Sequence, residues 1–502
     1  MVGVMLAVAV LLRLPSLMLV PRLTDETNVV ILGLRIARGE AHPLVGVNTY
    51  IGALFNYLVA GGFLLLGPRA EVGRLTALVF GVLTIVPTYL LARRLGGPDW
   101  HGRAAGLIAG LLLAFSPTDI LVTSRIAYSN SLTPFFTTSG LWLLHRAVVC
   151  RSNLSFVASG VFFGLALQTH VSAVAIWPGL ACYLLLRRRN VHLGWLLVAG
   201  LAALVMIANV LAYNVVHPGA TFDDILFRSG SYGGAVSVGL DAWPRRLGTL
   251  LRSYALALGG QAGEQAEPVA ALLSPTVVVS AALVALAVML LVRRREWLPL
   301  LGIASTVLVV SMFDDRVEPV VVRARHFAQV LPLSFGLVAV ALVALHDRLA
   351  TLTARRVAVG IGLVVLSALL VAQQEELHAY TADRLAHPDE NNLALLTVAD
   401  AISRGSRTER VYLDVQLAAV RTISGGRMYS QIRYLLLLRG QEFQLFDLAR
   451  DVLPVGSRGS VSRRLVLSAS SVGEAGARYR LEPLPGDPGD GSPIRVFRAY
   501  AR

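Results

Sequence analysis

Apolar positions in this chain do not alternate with polar ones. They come in continuous runs, many of them about 17–25 residues long, the length at which an α-helix crosses a hydrocarbon core of about 30 Å. The runs lie near 1–20, 72–92, 104–121, 132–148, 155–168, 171–186, 193–212, 273–292, 297–312, 328–345 and 357–372. Unbroken runs exclude a closed β-barrel, whose strands alternate lipid-facing and lumen-facing residues. Arginine-rich turns separate them: Arg93-Arg94 with Arg103, Arg146 with Arg151, Arg187-Arg188-Arg189, Arg293-Arg294-Arg295, and Arg348 with Arg355-Arg356. These turns fall at every second junction, so the positive-inside rule places them all on the cytoplasmic side. The loops 21–71, 122–131, 169–170, 213–272 and 313–327 are then external.

One run, 50–66, does not fit the alternation. It carries Asn56 and Gly61-Gly62 and ends at Gly67-Pro68. Counted as a span, it would turn the arginine-rich loops outward. It reads instead as a helix lying along the membrane or re-entering it. The first run lacks a basic leader and a small-residue cleavage site, and Arg13 interrupts it, so it reads as a retained span and not a signal peptide. After about residue 373 the pattern changes to short apolar runs among charges, Gly and Pro. Strands are expected at 411–415, 443–446, 464–467, 479–484 and 495–498, and helices at 392–404 and 429–439. The expected architecture is an all-α polytopic membrane domain, 1–372, of about eleven spans plus a membrane-lying helix. A small α/β extracytoplasmic domain, 373–502, follows it.

Composition agrees. The 502 residues are 55% apolar and only 15% charged, against about a quarter charged in soluble domains. The net charge of +14 is carried without lysine. The arginines are dispersed between apolar runs and build no basic domain, which argues against nucleic-acid binding. Cys150 and Cys182 have neither the number nor the spacing of a disulfide framework or a metal site.

The candidate chemistry sits at the external edges. Asp25-Glu26 follows the first run, and Thr24 can cap the helix these carboxylates open. The plain structural alternative is an acidic pair that complements a helix dipole. Its company makes chemistry the stronger reading: His42, Arg74, Arg125, Tyr128, Asn130, Gln168, His170, Arg323, Arg325 and His326 all lie in or near external segments. Arginines suit a lipid phosphate that carries a transferable group, and a carboxylate can take the proton of an incoming hydroxyl. Arg13, inside the first span, is either a satisfied residue or a phosphate contact. Asp223-Asp224 and Asp314-Asp315 read as solvated pairs before they read as metal ligands. No metal site is assigned, and no cofactor beyond an optional divalent metal. A lipid or glycolipid transporter is the alternative from another class, but it would place polar groups and broken helices near mid-membrane.

Several motifs in order make the chain resemble the polyprenyl-phosphate-dependent glycosyltransferases of GT-C fold, which include the protein O-mannosyltransferases (glycosyltransferase family 39) and the bacterial aminoarabinose transferases. They are Asp25-Glu26, His42-Pro43, Arg74 in EVGRLTALVFGVL, YLLARRLGG, LLLAFSP, SRIAYSN ending at Asn130, FFGLALQTH ending at His170, and RARHFAQVLP with Arg323, Arg325 and His326. The resemblance implies Asp25 as catalytic base; beside it, Glu26 is expected to orient Asp25 or the acceptor, and Arg74, Arg125, His170, Arg323, Arg325 and His326 are the expected phosphate contacts. Arg13, His42, Tyr128 and Asn130 are further cavity candidates. It also implies a polyprenyl-phosphate sugar donor, a lipid, glycan or protein acceptor, inversion at the anomeric carbon, and a place in a bacterial cytoplasmic membrane with the C-terminal domain outside. The family often has Asp where this chain has Asn130, and Lys where it has His170. Those departures imply either a different donor or a non-catalytic relative whose outer domain binds partners.

Overall fold

Each long apolar run folds as a helix, because a peptide in hydrocarbon must satisfy its backbone hydrogen bonds within its own segment. The computed structural model describes residues 1–24, 26–225, 243–262, 268–313, 320–350, 355–387, 391–403, 411–418, 428–451, 453–454, 463–485, 487–489, 492 and 494–501. Among the described residues, four helices are long and apolar enough to cross a membrane: Val72–Gly96, Pro275–Arg294, Ala324–Leu345 and Gly360–Ala386. Two bent pairs raise the number to six: Asp99–Phe115 with Pro117–Ser124, bent by 67°, and Leu193–Met206 with Ala208–Val216, bent by 60°. Shorter apolar helices cover most of the other expected spans, among them Val2–Arg13, Asn153–Thr169 and Leu298–Met312. The first run is helical only to Arg13. Leu14 keeps α-helical dihedrals and donates to the Val10 carbonyl; Pro15, which has no N–H to continue the ladder, ends the helix, and an irregular segment follows. The run near 50–66 becomes the helix Leu54–Leu66. Its 13 residues rise about 20 Å, too short to cross the hydrocarbon core.

Contacts divide the chain into two compact units. One comprises Met1–Pro15, His42–Leu58 and Leu75–Tyr380; the other comprises Ser16–Ala41, Val59–Arg74 and Thr381–Arg502. In the first, Asp99–Phe115 packs against Ile85–Gly96, and Leu331–Ala350 packs against both. Every residue from Leu333 to Ala341 is buried, as expected of a helix that is apolar on all sides. Pro275–Arg294 instead exposes Val278, Val279, Val288 and Met289 on one side, a face suited to lipid. Asn153–Thr169 and Leu193–Met206 approach closely because Gly160 and Gly164 lie against the Ala199 and Ala203 backbone. A side chain at either glycine would meet those carbonyls, the small-residue logic of membrane helix pairs.

The second unit is built on a five-stranded sheet with strands β1 (Val411–Asp414), β2 (Phe443–Phe446), β3 (Arg463–Ser468), β4 (Tyr479–Pro483) and β5 (Ile494–Ala501) in the order β2-β1-β3-β5-β4. β1 runs parallel to β2 and β3, while β5 is antiparallel to β3 and β4. Tyr412, Phe446, Leu465, Leu467, Tyr479 and Phe497 form its core. The helices Leu393–Ser403 and Met428–Leu438 pack together, and the first also packs on β5. The helix Glu26–Ala37 belongs to this unit and packs on Met428–Leu438. Its buried stripe is Val30, Ile31 and Leu34. That apolar face is covered by protein.

Candidate functional site

In the C-terminal unit, Glu26 opens its helix and is almost fully buried. A buried carboxylate needs a partner, and Arg74 supplies it. Arg74 Nη2 lies 2.5 Å from Glu26 Oε1, and Nε donates to Oε2 at 3.3 Å. The same guanidinium donates to the Leu17 carbonyl at 2.7 Å and the Pro21 carbonyl at 2.9 Å. Arg74 thus ties the start of its helix to both ends of the turn that precedes Asp25-Glu26. Asp25 itself lies outside the described residues. Tyr434 donates to the Ala70 carbonyl at 2.8 Å. Burial first, then the nearby Glu26 charge, pushes its phenol up, so it stays a donor.

In the membrane unit, Arg13 is fully buried and pairs with Asp119 at 2.6 Å. It also donates to the Ala114 carbonyl at 2.9 Å. Asp119 opens the helix Pro117–Ser124, and its backbone N–H is capped by Ser116. Arg13 therefore caps the end of one half of a bent span and neutralises the start of the other. Sequence reasoning singled out Arg13 and passed over Asp119. The signal was available: a lone carboxylate inside an apolar run implies a partner. Arg125, at the end of the same helix, is buried and donates to the Pro15 carbonyl at 2.8 Å.

A second polar group gathers His170, Arg325 and His326. Arg325 Nε donates to His326 Nε2 at 3.3 Å, and the His170 and His326 rings lie 6.0 Å apart. Tyr50 meets His170 edge-on at 5.8 Å; sequence reasoning did not single it out. His170 lies between helices, where its Nδ1 accepts the Ser172 N–H at 3.1 Å. That bond fixes the ring proton on Nε2, leaving one donor. Burial, then the charge of Arg325, holds the imidazole down to about 4, so it is neutral at physiological pH. The helix Val320–Phe327, which carries Arg325, packs on Pro117–Ser124. The Arg323 side chain lies outside the described residues. Asn130 is buried in a 3-10 turn, and its Oδ1 has no hydrogen-bond partner among the described residues. Tyr128 is half-buried, and His42 is exposed.

The acidic pair Asp223-Asp224, expected to be solvated, is only half so: Asp224 is buried and accepts from the Thr49 N–H at 2.7 Å, which anchors the loop before the helix Leu54–Leu66. Asp314 and Asp315 lie outside the described residues. Among the described residues, no three His, Cys, Asp or Glu side chains are placed to share a metal.

Comparison with known proteins agrees with this architecture. Residues 52–213 match the family model of dolichyl-phosphate-mannose-protein mannosyltransferases. A stretch of 94 residues is 33% identical to AglB of Haloferax volcanii, a dolichyl-monophosphooligosaccharide–protein glycotransferase, and covers 17% of this chain and 8% of that protein. The fold matches ArnT from Cupriavidus metallidurans in the apo state with a TM-score of 0.60 and 14% identity, covering 99% of this chain and 97% of that one. ArnT bound to undecaprenyl phosphate matches with a TM-score of 0.57 and 13% identity over the same shares of the two chains. The chain is a multi-pass membrane protein of ArnT-like GT-C fold, similar over residues 52–213 to the dolichyl-phosphate-mannose-protein mannosyltransferases.

Proposed function

We propose that this protein transfers a sugar from a polyprenyl phosphate to a hydroxyl-bearing lipid, glycan or protein at the outer face of a bacterial cytoplasmic membrane. The observation that carries this reading is the Arg325–His326–His170 group, a cation and imidazole donors at a helix end, within a fold shared with a protein that binds undecaprenyl phosphate. Such donors suit a phosphate that gains charge as it leaves. Arg125 and Arg323 join them as phosphate contacts. His170 contributes the Nε2 proton as a neutral donor.

In the reaction, the acceptor oxygen attacks the anomeric carbon as the bond from that carbon to the phosphate oxygen breaks. The phosphate leaves with the bonding electrons, and the hydroxyl proton passes to Asp25. Attack opposite the leaving group inverts the anomeric centre. Glu26 and Arg74 orient the turn that carries Asp25, because the guanidinium of Arg74 is committed to Glu26 and two carbonyls. The C-terminal domain lies on the same outer side.

The test is turnover in nanodiscs of undecaprenyl-phosphate mannose, arabinose and aminoarabinose, with membrane extracts as acceptors. Release of undecaprenyl phosphate coupled to a glycosylated product is expected for one donor. Tight binding of undecaprenyl phosphate with no transfer from any of them would favour a non-catalytic or transport role.

A further inference from the structure

The turn that precedes Asp25-Glu26 is held by residues nearly four hundred positions away. Asn392 is fully buried and grips this turn at four points. Its Nδ2 donates to the Met18 carbonyl at 2.7 Å and the Pro21 carbonyl at 3.2 Å. Its Oδ1 accepts the Leu23 N–H at 2.8 Å, and its own N–H donates to the Leu19 carbonyl at 3.0 Å. Gln431, also fully buried, continues the grip. Its Nε2 donates to the Leu23 carbonyl, and its Oε1 accepts from Arg22 Nε at 3.2 Å. Four backbone groups of this irregular turn, the Met18, Pro21 and Leu23 carbonyls and the Leu23 N–H, are thereby matched by side-chain amides. Residues 16–41 accordingly fold with the C-terminal unit.

We propose that Asn392 and Gln431 are positioning residues: the C-terminal domain serves the reaction by fixing the turn that presents Asp25 and Glu26. This rests on the reading of those carboxylates as the reacting pair. Asn392 opens the helix Leu393–Ser403, and Gln431 lies on Met428–Leu438. The two amides therefore project from packed helices, and side chains on rigid elements hold a backbone more tightly than a loop holds itself. A misplacement of about 1 Å at a base costs on the order of a hundredfold in rate. Neither residue needs to touch substrate.

The test combines hydrogen exchange with kinetics on the full-length protein in nanodiscs. Asn392→Ala is expected to speed exchange of the Leu23 amide at least tenfold. It is expected to lower kcat at least tenfold while leaving KM within twofold, using whichever of undecaprenyl-phosphate mannose, arabinose or aminoarabinose the wild type turns over. Asn392→Asp keeps the acceptor for Leu23 N–H but loses both donors, and should fall between. Gln431→Ala keeps the experiment decisive if Asn392→Ala fails to fold. Unchanged exchange at Leu23 overturns the grip, and faster exchange with unchanged kcat overturns its role in the reaction. Asp25→Asn in the same assay separates the two ideas: full activity there defeats the carboxylate reading, whatever Asn392 does.

Discussion

Glu26 and Arg74 form a buried two-point ion pair, with 2.5 Å between Nη2 and Oε1 and 3.3 Å between Nε and Oε2. Such a fork is specific to arginine, since a lysine ammonium cannot make both bonds and also reach two carbonyls. Removing one member of a buried pair leaves an uncompensated charge and costs about 3–5 kcal/mol. Arg74→Met is therefore expected to lower the unfolding temperature in nanodiscs more than the double variant Arg74→Met with Glu26→Met. Effects that simply add would contradict the pairing.

Arg13 and Asp119 form the second buried pair, at the 67° bend between Asp99–Phe115 and Pro117–Ser124. Here too the single variants should cost more than the double, again by about 3–5 kcal/mol for each single loss. Asp119→Asn should be milder than Asp119→Leu, because an amide still accepts from Arg13. Thermal unfolding of the four proteins supplies the cycle, and a zero coupling would show that the pair does not hold the bend.

His170 provides a pH test. Its folded-state pKa of about 4 lies below the ordinary histidine value. Between pH 6.5 and 4 the unfolded chain binds more protons at this position than the folded one. Stability linked to His170 therefore falls as pH drops through that window and is constant above it. His170→Gln should flatten this acid-side loss. It should also leave the pH–rate profile between pH 6.5 and 8 unchanged, since Gln supplies a neutral donor. A His170 ring signal that titrates in the ordinary range would contradict the burial argument.

Topology is checked with single cysteines in a background lacking Cys150 and Cys182. Asn28→Cys and Glu474→Cys, both at exposed positions, should react with an impermeant thiol reagent in intact cells. Arg188→Cys, exposed in an arginine-rich turn, should react only after lysis. The reverse pattern would invert the orientation drawn from arginine placement.

The helices were legible because hydrocarbon leaves a helical backbone little choice, so a run such as 273–292 declares itself and is found as Pro275–Arg294. The strands were legible too: β1 at Val411–Asp414 and β2 at Phe443–Phe446 stand where short apolar runs are bounded by polar turns. The helix Val472–Arg478 was not expected, since Gly473 and Gly476 lower its local propensity. The bend at Ser116 has a mark in the sequence, a capping serine followed by Pro117, whereas the bend at Ile207 has none within its apolar run. At the candidate site, the residue types were legible and their partners were not. Nothing local to Asn392 or Gln431 announces that their amides meet the backbone of residues 18–23, because carbonyls look alike in every sequence. Asp119 shows the intermediate case: its charge in an apolar run demanded a partner, but only the fold could supply Arg13.

The most direct measurement is single-turnover sugar transfer by Asp25→Asn, alongside its binding of undecaprenyl phosphate. Asparagine keeps the shape of the side chain but cannot accept the acceptor's proton, and a positioned general base contributes about 10²–10⁴-fold. The expected result is a transfer rate lowered by that factor with lipid-phosphate affinity unchanged, and a smaller loss for Glu26→Gln. Wild-type transfer by Asp25→Asn would contradict the mechanism.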